Sequence, residues 1–196
     1  MAVRGSGVIP LEFAFNERKA AESAAFLLDI AGGSMDLLVL LKLLYLADRR
    51  ALIERGLPIT GDRMIAKKNG PILARIYDAT KGHLVGMPSW SQFVSQPRSD
   101  DRAKRVRLVG KLKADGRLSN YERQILRAVH DEYGHENKWT LSALTHELPE
   151  FRDPGASRLP IDPKVILRNA GKSDDEIAWV DELARTSREA ASLRHS

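Results

Sequence analysis

At 196 residues the chain has room for one well-buried domain with an appendage. Its 43% apolar and 29% charged residues are ordinary for a folded globular protein and exclude disorder as the default state. It has no cysteine, which excludes a disulfide framework, a thiolate zinc site and a cysteine nucleophile together, and fits a reducing cytoplasm.

The charge is concentrated. Residues 98–117 hold eight basic and three acidic side chains, which accounts for the whole net excess of +5. The rest of the chain balances. This is a nearly neutral protein with one basic segment, not a uniformly basic nucleic-acid binder. The opening residues, MAVRGSGVIP, contain no apolar run able to serve as a signal-peptide core. The most apolar stretch, residues 37–47, is interrupted by Lys42 and falls short of the ~20 residues a membrane span needs. The expected location is the cytoplasm, with no membrane association.

Residues 1–10 read as a loose leader, taken to end at residue 12. A first helix is predicted over residues 16–31, with Ala20, Ala24, Leu27, Leu28 and Ala31 on one face and Gly32-Gly33 as its stop. Ser34 is the expected N-cap of a second helix running to about Arg55. Leucines cover nearly its whole circumference, so it is expected at the centre of the fold. Residues 63–68 read as an edge strand. Asn69-Gly70-Pro71 reads as a turn with Pro71 at the first position of a third helix, residues 72–81.

Residues 90–96 and 105–109 carry strand-type side chains, and Val106 and Leu108 alternate with Arg105 and Arg107. A hairpin joining these two runs is expected, within a small antiparallel sheet of two or three strands. Ser119-x-x-Glu122 is a capping box opening a helix to about Tyr133. A short helix is expected over residues 140–147, another from Asp162-Pro163 to Gly171, and a last one opened by the capping box Ser173-x-x-Glu176. Residues 149–160, with three prolines and a glycine, read as a linker. The fold class is thus mainly α, an α+β arrangement in a compact helical domain. Residues 151–196 are expected to form a helical extension packed on the domain of residues 13–150.

No catalytic pattern stands out. His135-Glu136 and His146-Glu147 begin like HExxH, but Trp139 and Glu150 occupy the fifth positions. There is no GxSxG elbow, Walker loop or dinucleotide GxGxxG. Asp131-Glu132 and Asp174-Asp175-Glu176 read as solvated helix faces and favourable N-terminal charge. No catalytic residue, metal ligand or cofactor is assigned. The basic segment is either edge protection or a footprint for an acidic partner or for phosphates. Its candidate contact residues are Arg102, Arg105, Arg107, Lys111 and Lys113, with Trp90 nearby. Trp90 and Phe93 are read more readily as core than as a base-stacking platform.

Several spaced words remain. They are Lys42-Leu43-Leu44-Tyr45-Leu46-Ala47-Asp48, then Pro58-Ile59-Thr60-Gly61-Asp62, then Gly70-Pro71 and Tyr77, and finally Leu141-Ser142-Ala143-Leu144-Thr145-His146. Together they resemble the Panacea domain of SocA-like antitoxins, over roughly residues 20–150. Asn69 and Phe151 depart from the aromatic and the tryptophan common at those places. The resemblance implies an antitoxin that neutralises a cognate toxin protein by direct contact, often encoded on phages or mobile elements. The founding SocA-type member is a proteolytic adaptor that delivers its toxin to ClpXP, so that protease is a further implied partner. The alternative is a nucleic-acid-binding regulator using residues 98–117. Lys42, Leu44, Tyr45, Asp48, Pro58, Gly61, Asp62, Gly70, Pro71, Tyr77, Leu144 and His146 are read mainly as scaffold. Tyr45, Asp48 and Tyr77 are expected to pin the second helix to the Thr60-Gly61 loop.

Overall fold

The computed structural model describes residues 11–97, 104–113 and 116–193. The leader up to Pro10 and Arg102 therefore lie outside the described residues. Helix α1, Glu17–Ile30, is capped by Asn16, whose side chain accepts the Lys19 N–H at 3.0 Å. It ends in a Schellman motif, with the N–H groups of Gly32 and Gly33 bonded to the carbonyls of Asp29 and Leu28. Ser34 is not the next cap. It starts strand β1, Ser34–Asp36, and Asp36 caps helix α2, Leu37–Arg55, by accepting the Leu38 N–H at 2.8 Å.

Helix α2 is the axle of the molecule. Its leucines leave no polar face over the first three turns, and it packs against α1 and four elements that come later in the chain. It ends at Gly56, which adopts the left-handed conformation of a helix stop.

Strand β2, Met64–Lys67, and strand β3, Gly70–Leu73, form a hairpin with Ala66 opposite Pro71. Pro71 thus lies in a strand, not at a helix start, and helix α3 spans only Ala74–Ala79. An edge strand tolerates proline because its outward side needs no N–H donor. Strand β2 is central, not an edge. Its other side pairs with the later segment Leu159–Pro160, giving the order β3-β2-Leu159–Pro160.

Residues 90–96 do not form the expected strand. Trp90–Phe93 is a single helical turn, α4, which sends both aromatic rings inward. Only Val94 bridges to Leu108. Strand β4, Arg105–Arg107, pairs instead with β1, Met35 facing Val106. The expected alternation holds there: Val106 is buried while Arg105 and Arg107 face solvent.

Helix α5, Asn120–Tyr133, carries the expected capping box, with Ser119 and Glu122 bonded reciprocally. Helix α6, Lys138–His146, begins two residues earlier than expected because Asn137 caps it through the N–H groups of Trp139 and Thr140. The stretch read as a linker is tied in at both ends: Glu150 is buried, and Leu159–Pro160 is strand β5. Helix α7, Pro163–Asn169, is capped by Asp162 and packs on α2. Helix α8, Asp174–Leu193, packs on α7, and its Ser173–Glu176 box is formed. The protein is mainly helical, with two small antiparallel sheets among the described residues.

Candidate functional site

Polar side chains on α2 should face water on a surface helix. Here Lys42, Tyr45 and Asp48 are fully buried, and each is held by a segment distant in sequence. Lys42 Nζ donates to the Pro71 carbonyl at 3.0 Å. Burial lowers its ammonium from the usual range to about 7. The neighbouring Gly70 has φ +94°, and a Cβ there would stand 2.3 Å from Lys42 Nζ and 2.8 Å from Thr145 Oγ1. Only glycine leaves room for the lysine head. Ser142 Oγ donates to the Asn69 carbonyl at 2.8 Å, so α6 clamps the same hairpin. The His146 ring stacks on Phe151, centroids 4.4 Å apart and planes 7° from parallel.

Tyr45 Oη donates to Glu150 Oε1 at 2.8 Å. Arg49 grips the same carboxylate through Nε at 2.6 Å and Nη2 at 3.2 Å, the forked geometry in which guanidinium binds best. Burial and the Glu150 charge push the Tyr45 hydroxyl well above its usual range. Asp48 accepts the Thr60 N–H at 3.0 Å and the Thr60 hydroxyl at 2.5 Å. Burial still outweighs these bonds and raises its carboxyl to about 7. Asp62 accepts the N–H groups of Arg63, Arg75 and Ile76 at 2.7, 3.1 and 3.0 Å. It caps α3 from outside the helix, where the local N-cap residue Leu73 has no polar side chain. Burial raises Asp62 as well.

Leu44 is buried and Pro58 half-buried. Gly61 lets the N-terminal segment cross closely, since a Cβ there would stand 2.3 Å from the Ala14 carbonyl oxygen. Tyr77 does not reach the Thr60-Gly61 loop. Its half-buried ring lies between the ammonium groups of Lys67 and Lys81, at 5.2 and 5.3 Å. Of the three expected pins to that loop, only Asp48 makes one; Tyr45 reaches Glu150 instead. Leu144 is exposed at 45%, a surface position.

The candidate contact residues separate cleanly. Arg105, Arg107, Lys111 and Lys113 are exposed, and Arg105 also donates to the carbonyl and hydroxyl oxygens of Ser34. Trp90 is fully buried, so its ring has no face to offer a partner. Arg49 and Glu150 complete the network without any sequence signal, while Thr145, part of the Leu141–His146 word, stands beside Gly70. Glu150 in particular follows Pro149 in an irregular stretch, where neither period nor spacing marks it.

The buried carboxylates of Asp48, Asp62 and Glu150 all accept bonds from their own chain. Among the described residues, no group of three or more His, Asp or Glu side chains is arranged to hold a metal ion, and no helix is long and apolar enough to cross a membrane. The result is a mainly helical fold in which Lys42, Tyr45, Asp48 and Asp62 bond to other segments of their own chain. Residues 40–150, more than half of the chain, match the family described as antitoxin SocA-like, Panacea domain. The chain belongs to that family. Comparison with curated proteins and with solved structures returns no match.

Proposed function

We propose that the chain is the antitoxin of a toxin–antitoxin pair and that it neutralises its cognate toxin in the cytoplasm by direct binding, without catalysis. The family match over residues 40–150 carries this reading. The rigid interior supports it, because a surface that must hold one partner benefits from a preorganised scaffold. We assign the contact to the exposed basic strand and its continuation, Arg105, Arg107, Lys111 and Lys113. These residues would meet an acidic face of the toxin, and such complementarity speeds encounter and sets register. Delivery of the bound toxin to ClpXP is a second activity that the family reading brings with it.

Co-expression with the neighbouring open reading frame tests the proposal. The expected result is rescue of growth and a stable complex on gel filtration; no protection and no complex would sink it. Toxin half-life with and without ClpXP separates degradation from simple blocking. Nucleic-acid binding is the weaker alternative, because burial of Trp90 removes the stacking group nearest the basic segment.

A further inference from the structure

A cavity of about 420 Å³ lies between the N-terminal segment, strand β2 and the β5–α7 junction. Its volume falls in the range of small-molecule sites, roughly 300–1,000 Å³. The walls are mainly apolar, with Leu11, Met64, Ile65 and Ile161 all buried. The loop residues Gly61 and Asp62, just before β2, also line it.

The charged groups around it are unequal. Asp62 spends its carboxylate on three backbone N–H groups. Asp162 accepts the Lys164 N–H at 2.9 Å as the cap of α7. Glu12 lies 3.5 Å from the guanidinium of Arg188. The two remaining charged liners are Arg63 and Arg158, both exposed. Neither guanidinium has a hydrogen-bond or ion-pair partner among the described residues. The cavity therefore combines an apolar interior with two uncommitted cationic forks, while its anionic groups are already engaged. Guanidinium groups favour planar, two-oxygen anions.

We infer that this cavity binds a small amphipathic carboxylate, its apolar body among Leu11, Met64 and Ile161 and its carboxylate on Arg63 and Arg158. The site lies apart from the basic strand assigned to toxin contact and stands independently of the antitoxin reading. It joins three separate segments of chain, so an occupant would tie the C-terminal helices to the central sheet.

Titration calorimetry on the full chain, with sodium octanoate and with octanol as the uncharged match, tests the inference. Saturable one-site binding of octanoate is expected, at least ten-fold tighter than octanol. The exposed double variant Arg63→Ala/Arg158→Ala should lose ten-fold or more for octanoate and nothing for octanol. Three results would overturn the inference: no saturable octanoate heat, equal binding of acid and alcohol, or full octanoate affinity in the double variant. A Leu11→Ala variant with intact arginines gives a second reading; unchanged octanoate affinity there would remove the apolar half of the assignment.

Discussion

Tyr45 and Glu150 meet at 2.8 Å although 105 residues of chain separate them. Tyr45 lies near the start of the family-matched region and Glu150 is its last residue. The contact therefore closes the domain on itself, with Arg49 as a third member. Tyr45→Phe removes one charge-assisted bond and is expected to cost about 1.5–3 kcal/mol. Glu150→Ala leaves a guanidinium and a buried hydroxyl without their acceptor and should cost more, about 3–5 kcal/mol. Urea unfolding of both single variants and the double checks this. Additive losses would show that the residues do not act as one unit.

Two buried groups give the stability a pH dependence of defined sign. The Asp48 carboxyl is raised to about 7 in the folded state from a usual 3.8. The unfolded chain thus holds fewer protons between those values, and stability falls as pH rises from about 4 to about 7. Lys42 is lowered to about 7 from 10.5. The unfolded chain then holds more protons in that window, and stability rises as pH climbs from about 7 towards 10.5. Asp48 and Lys42 together place a stability minimum near neutrality, with Asp62 adding to the acid limb. Urea midpoints across pH 4 to 10 should show it. Asp48→Asn should flatten the acid limb and Lys42→Met the alkaline one.

Gly70→Ala is expected to destabilise more than substitution of an unhindered left-handed glycine. The new methyl would clash with Lys42 Nζ, and the alanine would sit at φ +94°. The backbone strain alone is worth about 1–2 kcal/mol. Gly82→Ala, at φ +89° with open space around it, isolates that strain. A thermal melt of each supplies the comparison; equal losses would show that the lysine head simply moves aside.

Charge reversal at Arg107, Lys111 and Lys113 should leave the melting temperature almost unchanged, because all three are exposed. It should weaken the toxin complex at least ten-fold, chiefly through slower association, and flatten its salt dependence. Surface plasmon resonance at two ionic strengths measures both. An unchanged association rate would move the contact elsewhere, and the exposed Trp139 of α6 would be the next candidate.

Much of the helical frame was legible from local signals. A dense leucine run marks α2, and the two capping boxes mark α5 and α8, because these features depend on residues a few positions apart. The errors came where distant chain decides local structure. Gly70-Pro71 carries the signature of a helix start, yet β2 draws it into a strand. Trp90–Phe93 has strand-type residues, but the core takes both rings from one helical turn. Pro149 to Pro160 looks like a linker until Glu150 and Leu159 find partners on α2 and β2. Lys42, Tyr45, Asp48 and Asp62 stand out in the sequence as signature residues, but the bonds they make are set by distant segments. Arg49 and Glu150 leave no such mark, since tertiary pairing leaves no periodicity in the chain.

The order in which these fastenings can form has a consequence for synthesis. Asp48 finds Thr60 only 12 residues downstream, so this bond can close soon after α2 leaves the ribosome. Arg49 needs a carboxylate that lies 101 residues later. At ordinary elongation rates, about 5–20 residues per second, that interval lasts roughly 5–20 s. For most of it the leucine-rich α2 is present without α5 and α6, and throughout it without the lock to Glu150. A nascent chain in that state is a natural client for a ribosome-bound chaperone, and an interrupted translation product ending before Glu150 would be an easy target for a protease.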